Sequence, residues 1–268
     1  AVLIETPDGQ QVLIDGGYSP TDLLSALGRH MPFYDRKIEL VVLTHPGDER
    51  IGGLVGLADR YHIDQVVQAP FPYRSANYEG WLRALQSQDV PVAPAEAGMR
   101  IHLGYGATLD VLHPGPEPLL ADDGELDLQA NSLVLRLGYG ETSFLLTGDA
   151  TREVQQWLVD SGQWIESTVV KVPDGGRQAS LNEAFLAATK PVHAVAFVQS
   201  EDRFRDLSAA VEEAWIAAVG PEGFHRTDLA GTLSFASDGR VVHLPSGRTR
   251  PLPARVWASL APVPAGRR

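Results

Sequence analysis

The chain has 268 residues, 44% of them hydrophobic, with no cysteine and a formal net charge of −12. Its length allows one large domain or two fused halves around a sizeable core, and the missing cysteines exclude disulfides, thiolate metal sites and cysteine nucleophiles. The last 24 residues hold five arginines and no acid, so the rest carries 17 basic against 34 acidic residues, a body that repels polyanions unless metals or local basic patches intervene.

Val2–Glu5 and Gln11–Asp15 flank Pro7-Asp8-Gly9 and read as a hairpin ended by Gly16-Gly17. Pro20-Thr21-Asp22 starts a helix over Leu23–Leu27. The apolar run Ile38–Leu43 reads as a buried strand, followed by the polar loop Thr44-His45-Pro46-Gly47-Asp48-Glu49-Arg50 and an apolar helical pattern from Gly52, with Leu54–Tyr61 as helix. Gln65–Gln68 is a strand and Tyr78–Gln88 a helix. Strands then fall at Met99–Leu103, Ala107–His113, Ser132–Leu137 and Ser143–Leu146, with residues 115–130 as the longest loop. The remainder alternates helices at Arg152–Ser161, Leu181–Thr189 and Ser208–Val219 with strands at Val169–Val172, Ala194–Val198, Thr232–Ala236 and Val241–Leu244. Two mixed β-sheets with helices outside fit this order, an α/β (α+β) αββα sandwich over 1–244 with a Pro/Arg-rich basic tail over 245–268. No run approaches the roughly 18 apolar residues of a membrane-spanning helix. The first residues lie in a strand pattern without an initiator Met, which reads as an excised domain.

The strand, polar loop and helix order around His45 resembles the metallo-β-lactamase fold, whose hydrolases carry His-x-His/Asp-x-Asp-His there. Further motifs follow in register: Leu13-Ile14-Asp15-Gly16-Gly17, Val41–Pro46, Asn131–Leu137, Ser143–Ala150 with Gly148-Asp149, Lys171-Val172-Pro173, and Arg226-Thr227-Asp228 before Gly231. Together they resemble the C-terminal metallo-β-lactamase domain of the ComEC family of bacterial DNA-uptake channel proteins. The resemblance implies a domain tethered to an inner-membrane protein, on the extracytoplasmic face, in a family proposed to degrade the strand not taken up.

Against that pattern the chain has lost most of its ligands. His45 stays and Asp149 keeps the position that would bridge two metals. The two loop aspartates become Gly47 and Glu49, and the second histidine becomes Arg50. The Val-Pro-His-His-Gly-Ser run becomes Val172-Pro173-Asp174-Gly175-Gly176-Arg177, and a last histidine becomes Asp206. Glycine offers no side-chain ligand, and a guanidinium repels a cation.

Two readings stay open. In the first, His45, Glu49, Asp149, Asp174 and Asp206 converge as a degenerate, oxygen-rich set that suits Mn²⁺, Mg²⁺ or Ca²⁺ better than Zn²⁺, serving an atypical Mn-, Mg- or Zn-dependent nuclease. In the second, no metal binds. Repulsion among the acids is then relieved by Arg50, with Arg177 or Arg205 serving the neighbouring position, and the domain is a pseudoenzyme. Asp15 reads as a turn former that orders His45 from behind. The expected partners are the remaining domains of the parent channel and single-stranded DNA, the latter weakly given the acidic body. The other seven histidines lack ligand spacing and read as surface or satisfied residues. Tyr34, Tyr73, Tyr78 and Trp81 read as core or helix anchors rather than base-stacking platforms.

Overall fold

A computed structural model of the chain describes residues 1–71, 73–198 and 207–244. The first half runs β1 (Val2–Glu5), β2 (Gln11–Ile14), α1 (Pro20–His30), β3 (Lys37–Ile38), β4 (Leu40–Leu43), α2 (Asp48–Ile51), β5 (His62–Ile63), β6 (Val66–Gln68), α3 (Ala76–Ser87) and β7 (Val92–Pro94). The second half runs β8 (Arg100–Gly104), β9 (Ala107–His113), β10 (Val134–Tyr139), β11 (Thr142–Leu146), α4 (Arg152–Asp160), β12 (Val169–Lys171), α5 (Glu183–Thr189), β13 (His193–Ala196), α6 (Ala209–Val219), β14 (Phe224–Arg226), α7 (Thr227–Ala230), β15 (Ala236–Ser237) and β16 (Val242–His243).

Two large mixed sheets result. One has the order β1-β2-β4-β6-β7 and the other β14-β13-β12-β11-β10-β9-β8. Strands β1 and β2 pair antiparallel, while β2, β4, β6 and β7 run parallel. In the second sheet β8 to β11 are antiparallel neighbours and β11 to β14 are parallel.

Strand alternation sorts the apolar residues into three layers. Leu13, Val41 and Leu43 point outward to α1, α3 and the turn after α2, in a core that includes Leu27, Leu54 and Trp81. Val12, Ile14 and Val42 point the other way and meet Leu109, Val111, Leu133 and Leu135 of the second sheet. Val170 and Ala194 face Val154, Phe185 and Trp215 on α4, α5 and α6. A strand buried on both faces needs apolar residues at every position, which is why Leu40–Leu43 shows no alternation. The αββα layering read from the sequence is the observed one.

Several elements differ from the sequence reading. The run Ile38–Leu43 is broken at Glu39: β3 pairs with β5, while β4 enters the large sheet between β2 and β6. The Glu39 carboxylate accepts the Gln11 N–H at 2.7 Å, at the point where the partners change. The helix expected over Leu54–Tyr61 does not form: the four-residue α2 ends before it, and the segment is a 3₁₀ turn, Gly52–Gly56, followed by further turns. A Cβ on Gly53 would strike the Gly16 carbonyl, and one on Gly52 the Tyr18 carbonyl. The two glycines let the turn lie directly on the backbone after β2, and a Gly-Gly pair is a poor helix former. The strand expected over Thr232–Ala236 is confined to Ala236–Ser237. Strands β5, β7 and β14 escaped the sequence reading because each has only two or three residues, and β7 ends in Pro94, which suits only a sheet edge. Tyr78 and Trp81 are buried as expected, whereas Tyr34 is exposed. The basic tail over 245–268 lies outside the described residues, and no helix among the described ones is long and apolar enough to cross a membrane.

Candidate functional site

The loop after β4 and the loop after β11 meet at the same end of the sandwich, where the two sheets are tied by the Leu133 N–H donating to the Thr44 carbonyl at 3.0 Å. Strand β4 ends at Leu43 and delivers Thr44 and His45, both buried. Gly47 then caps α2 and turns Glu49 and Arg50 back toward the second sheet. From the other side, Gly148 adopts φ +53 and presents Asp149. A side chain at 148 would meet the Ser132 hydroxyl, which instead accepts the Asp149 N–H at 3.2 Å. Glycine is required there by both conformation and space.

Asp149 is the hub. Its Oδ2 lies 2.8 Å from His45 Nε2 and accepts Arg50 Nε at 3.2 Å, while Arg50 Nη2 donates to Oδ1. This two-pronged geometry is the strong form of a guanidinium–carboxylate pair. His45 Nε2 also lies 3.3 Å from Glu49 Oε1. The other ring nitrogen, Nδ1, accepts the Gly47 N–H at 3.0 Å. A nitrogen that accepts cannot carry the ring proton, so that proton sits on Nε2 and points at the carboxylates.

Asp15 stands one layer behind. Its backbone takes φ +58, a conformation Asp tolerates better than most residues. Its carboxylate accepts both the N–H and the hydroxyl of Thr44 at 2.8 Å each, and Arg50 Nη1 lies 3.8 Å away. The Gly16 N–H holds the Arg50 carbonyl at 2.6 Å, so the loop after β2 fixes both the arginine backbone and part of its charge environment.

Burial pushes the Asp149 carboxyl upward, but the His45 hydrogen bond, the Lys171 charge and the Arg50 fork outweigh it and hold the group well below the usual carboxylate range. Burial pulls Arg50 down, but Asp15, Asp149 and Glu49 more than compensate and hold it above its ordinary value. Lys171, on β12, was not singled out as a site residue by the sequence reading. It is buried, donates to the Gly148 carbonyl at 2.6 Å, and is lowered to about 8, by desolvation first and by the Arg50 charge second. The signal was present: a lone lysine within Val169-Val170-Lys171-Val172 is a charge inside a buried strand.

Of the five acids and histidines read from sequence as ligands, three converge. Ligand atoms of His45, Glu49 and Asp149 lie within 4.8 Å of one another, and this is the one such group among the described residues. Asp174 is not part of it. It sits at φ +47 in the turn after β12, its N–H faces the Gly148 carbonyl at 3.3 Å, and its carboxylate lies 3.6 Å from Arg177 Nη1. That turn directs the acid toward Arg177 three residues on, so Arg177 answers Asp174 locally. Asp206 and Arg205 lie outside the described residues.

The arrangement fits a binuclear metal centre poorly. The three donor groups that converge among the described residues are too few to fix two ions. The proposed bridging carboxylate is already gripped by a permanent cation, and His45 turns a proton, not a lone pair, toward the carboxylates. The missing third ligand cannot simply be restored either, since a Cβ on Gly47 would lie 2.7 Å from His45 Cε1 and 2.9 Å from Glu49 Cδ.

The two mixed sheets, the outer helices and a site built at their loop ends define a class, and the chain belongs to the metallo-beta-lactamase superfamily, whose family pattern matches residues 1–200. Among characterised proteins it is similar to ComE operon protein 3 of Bacillus subtilis (strain 168), at 23% identity over 207 residues. That match covers 77% of this chain and 25% of the relative, so the chain spans about a quarter of the longer protein's length. Two solved structures share the fold. The metallo-beta-lactamase fold protein YhfI of Bacillus subtilis aligns with TM-score 0.53 at 11% identity, covering 84% of this chain and 86% of the other. The Zn²⁺-bound PqqB of Methylobacterium extorquens aligns with TM-score 0.52 at 13% identity, covering 84% and 83%. At these identities the likeness is one of fold.

Proposed function

We propose that this chain is the metallo-β-lactamase-fold domain of a ComEC-like DNA-internalisation protein in which hydrolysis has been lost and the fold retained as a scaffold or docking body. The match to ComE operon protein 3 supports the competence assignment; attachment to a parent membrane protein and an extracytoplasmic position belong to this proposal and follow from the family resemblance alone. The observation that carries the loss of hydrolysis is the Arg50–Asp149 fork, with Nε on Oδ2 at 3.2 Å and Nη2 on Oδ1. Hydrolysis by this fold needs an ion to lower the pKa of a bound water, and here the central carboxylate is committed to a guanidinium. The domain's partners in this reading are the remaining domains of the parent channel, with single-stranded DNA approaching only against the charge of an acidic body.

A second reading has its own support in the convergence of His45, Glu49 and Asp149 within 4.8 Å. Under it the protein is a metal-dependent phosphodiesterase acting on the strand that is not transported. One experiment separates the two: purified protein is incubated with single-stranded DNA and Mn²⁺, Mg²⁺ or Zn²⁺, beside Asp149→Ala. No cleavage above the Asp149→Ala background is expected. Cleavage by the wild type that disappears in Asp149→Ala would overturn the scaffold reading and install the nuclease.

A further inference from the structure

We propose that the Arg50 guanidinium is the resident cation of this site, and that removing it, with no ligand added, opens a single-ion site for Zn²⁺ on His45, Glu49 and Asp149. The inference rests on the non-catalytic reading above and deepens it by naming what stands where an ion would.

Geometry supports the exchange. Neighbouring ligand atoms around a tetrahedral ion with bonds of 2.0–2.1 Å lie about 3.3 Å apart. His45 Nε2 is already 2.8 Å from Asp149 Oδ2 and 3.3 Å from Glu49 Oε1. Two edges of the donor triad therefore come within about half an ångström of those of a coordination face, and the third lies within 4.8 Å. What fills the adjoining position is Arg50, which touches Asp149 with two nitrogens and brings a third within 3.8 Å of Asp15. A guanidinium and a hydrated divalent ion are both cations that bring several bonds to converging carboxylates, but the guanidinium is covalently tethered and does not dissociate. Its backbone is tied down as well, through the Gly16 N–H on the Arg50 carbonyl. The protein thus carries its counter-charge as part of its sequence.

The first loop has adjusted to that occupant. The Gly47 N–H donates to His45 Nδ1 at 3.0 Å, which leaves Nε2 as the donor toward the carboxylates. To ligate an ion, Nε2 must give up its proton, so the Gly47 contact must loosen while the ring tautomer changes. Gly47 also leaves room for the Glu49 carboxylate to fold back beside His45, in space that a side chain at 47 would take.

The test uses the whole chain labelled with ¹⁵N-histidine, titrated with Zn²⁺ and followed by nitrogen-resolved NMR, calorimetry and thermal unfolding. In the wild type, His45 is expected as the Nε2-protonated tautomer, and neither Zn²⁺ nor EDTA is expected to move its signal or the Tm. In Arg50→Ala the Tm is expected to fall, one equivalent of Zn²⁺ to bind, and the Tm to recover with a changed His45 signature. Arg50→Ala/Asp149→Ala should lose the Zn²⁺ response. Arg50→Gln, close to arginine in shape and neutral, serves if Arg50→Ala does not fold. Stoichiometric Zn²⁺ binding to the wild type that vanishes in Asp149→Ala would overturn the proposal, and so would a folded Arg50→Ala or Arg50→Gln that binds no Zn²⁺. Asp149-dependent DNA hydrolysis by the wild type would count against the scaffold reading and this proposal together, whereas a folded Arg50→Ala that binds no Zn²⁺ would overturn this proposal and leave the scaffold reading standing.

Discussion

Arg50 and Asp149 stand 99 positions apart in sequence, yet share a two-pronged ion pair, Nε to Oδ2 at 3.2 Å and Nη2 to Oδ1. Asp149 is buried and Arg50 nearly so. Each is therefore costly to leave without the other, since an unpaired buried charge has lost its water and gained nothing in exchange.

Removing one partner is expected to cost about 3 kcal/mol, the usual scale for breaking a buried pair. Asp149→Leu and Arg50→Met should each show this in urea unfolding. The double variant should lose clearly less than the sum, because neither charge then remains stranded. Strict additivity of the two losses would show that the groups do not act on each other.

Thr44 ties Asp15 to the first loop through its N–H and its hydroxyl, both at 2.8 Å. Thr44→Val keeps the shape and deletes the hydroxyl. A buried carboxylate with one donor fewer predicts a loss of about 1–3 kcal/mol, read as a lower midpoint in denaturant with an unchanged slope. No loss would mean that water or Arg50 takes up the freed oxygen.

The loop glycines should separate into two classes. At Gly53 an added Cβ meets backbone, the Gly16 carbonyl, which cannot swing aside. Gly53→Ala is expected to destabilise by about 3 kcal/mol or to prevent folding, as overpacking against fixed atoms does. At Gly47 an added Cβ meets the flexible carboxylate end of Glu49 and, at 2.7 Å, the buried His45 ring, so Gly47→Ala should cost about 1–2 kcal/mol, less than Gly53→Ala. Adding Glu49→Ala should recover part of that. Circular dichroism melts of the three variants test the order.

His193 and His225 were expected to be surface or satisfied histidines. They touch each other, Nδ1 to Nε2 at 3.1 Å across β13 and β14, with the Phe235 ring 5.9 Å from both. Burial lowers both, and in His225 the His193 charge adds to the lowering while Glu222 opposes it. With folded values below the unfolded value of about 6.5, the unfolded chain takes up protons first as pH falls. The pair's contribution is therefore full above about pH 6.5 and is lost as the pH drops through the lowered folded values. The Tm should decline from pH 7.5 to 5, and less steeply in His193→Gln/His225→Gln. Parallel profiles for the variant and the wild type would remove the pair as the cause.

Much of the architecture was legible from sequence because burial and backbone geometry leave local marks. Apolar Leu40–Leu43, the hairpin around Pro7-Asp8-Gly9, and helices over α1, α3, α4 and α6 follow from periodicity and turn chemistry within a few residues. Sequence also determined which residue types occupy the ligand positions: His45 and Asp149 kept, Gly47 and Arg50 substituted. The tertiary structure decided what those residues do to one another. It put Arg50 on Asp149, sent Asp174 toward Arg177, placed Lys171 beneath Gly148, and set the His45 proton on Nε2 through the Gly47 amide. Local patterns record which face of an element is dry. Hydrogen bonds and ion pairs between distant loops depend on a few tenths of an ångström and on donor direction, and those are fixed only when both sheets have packed.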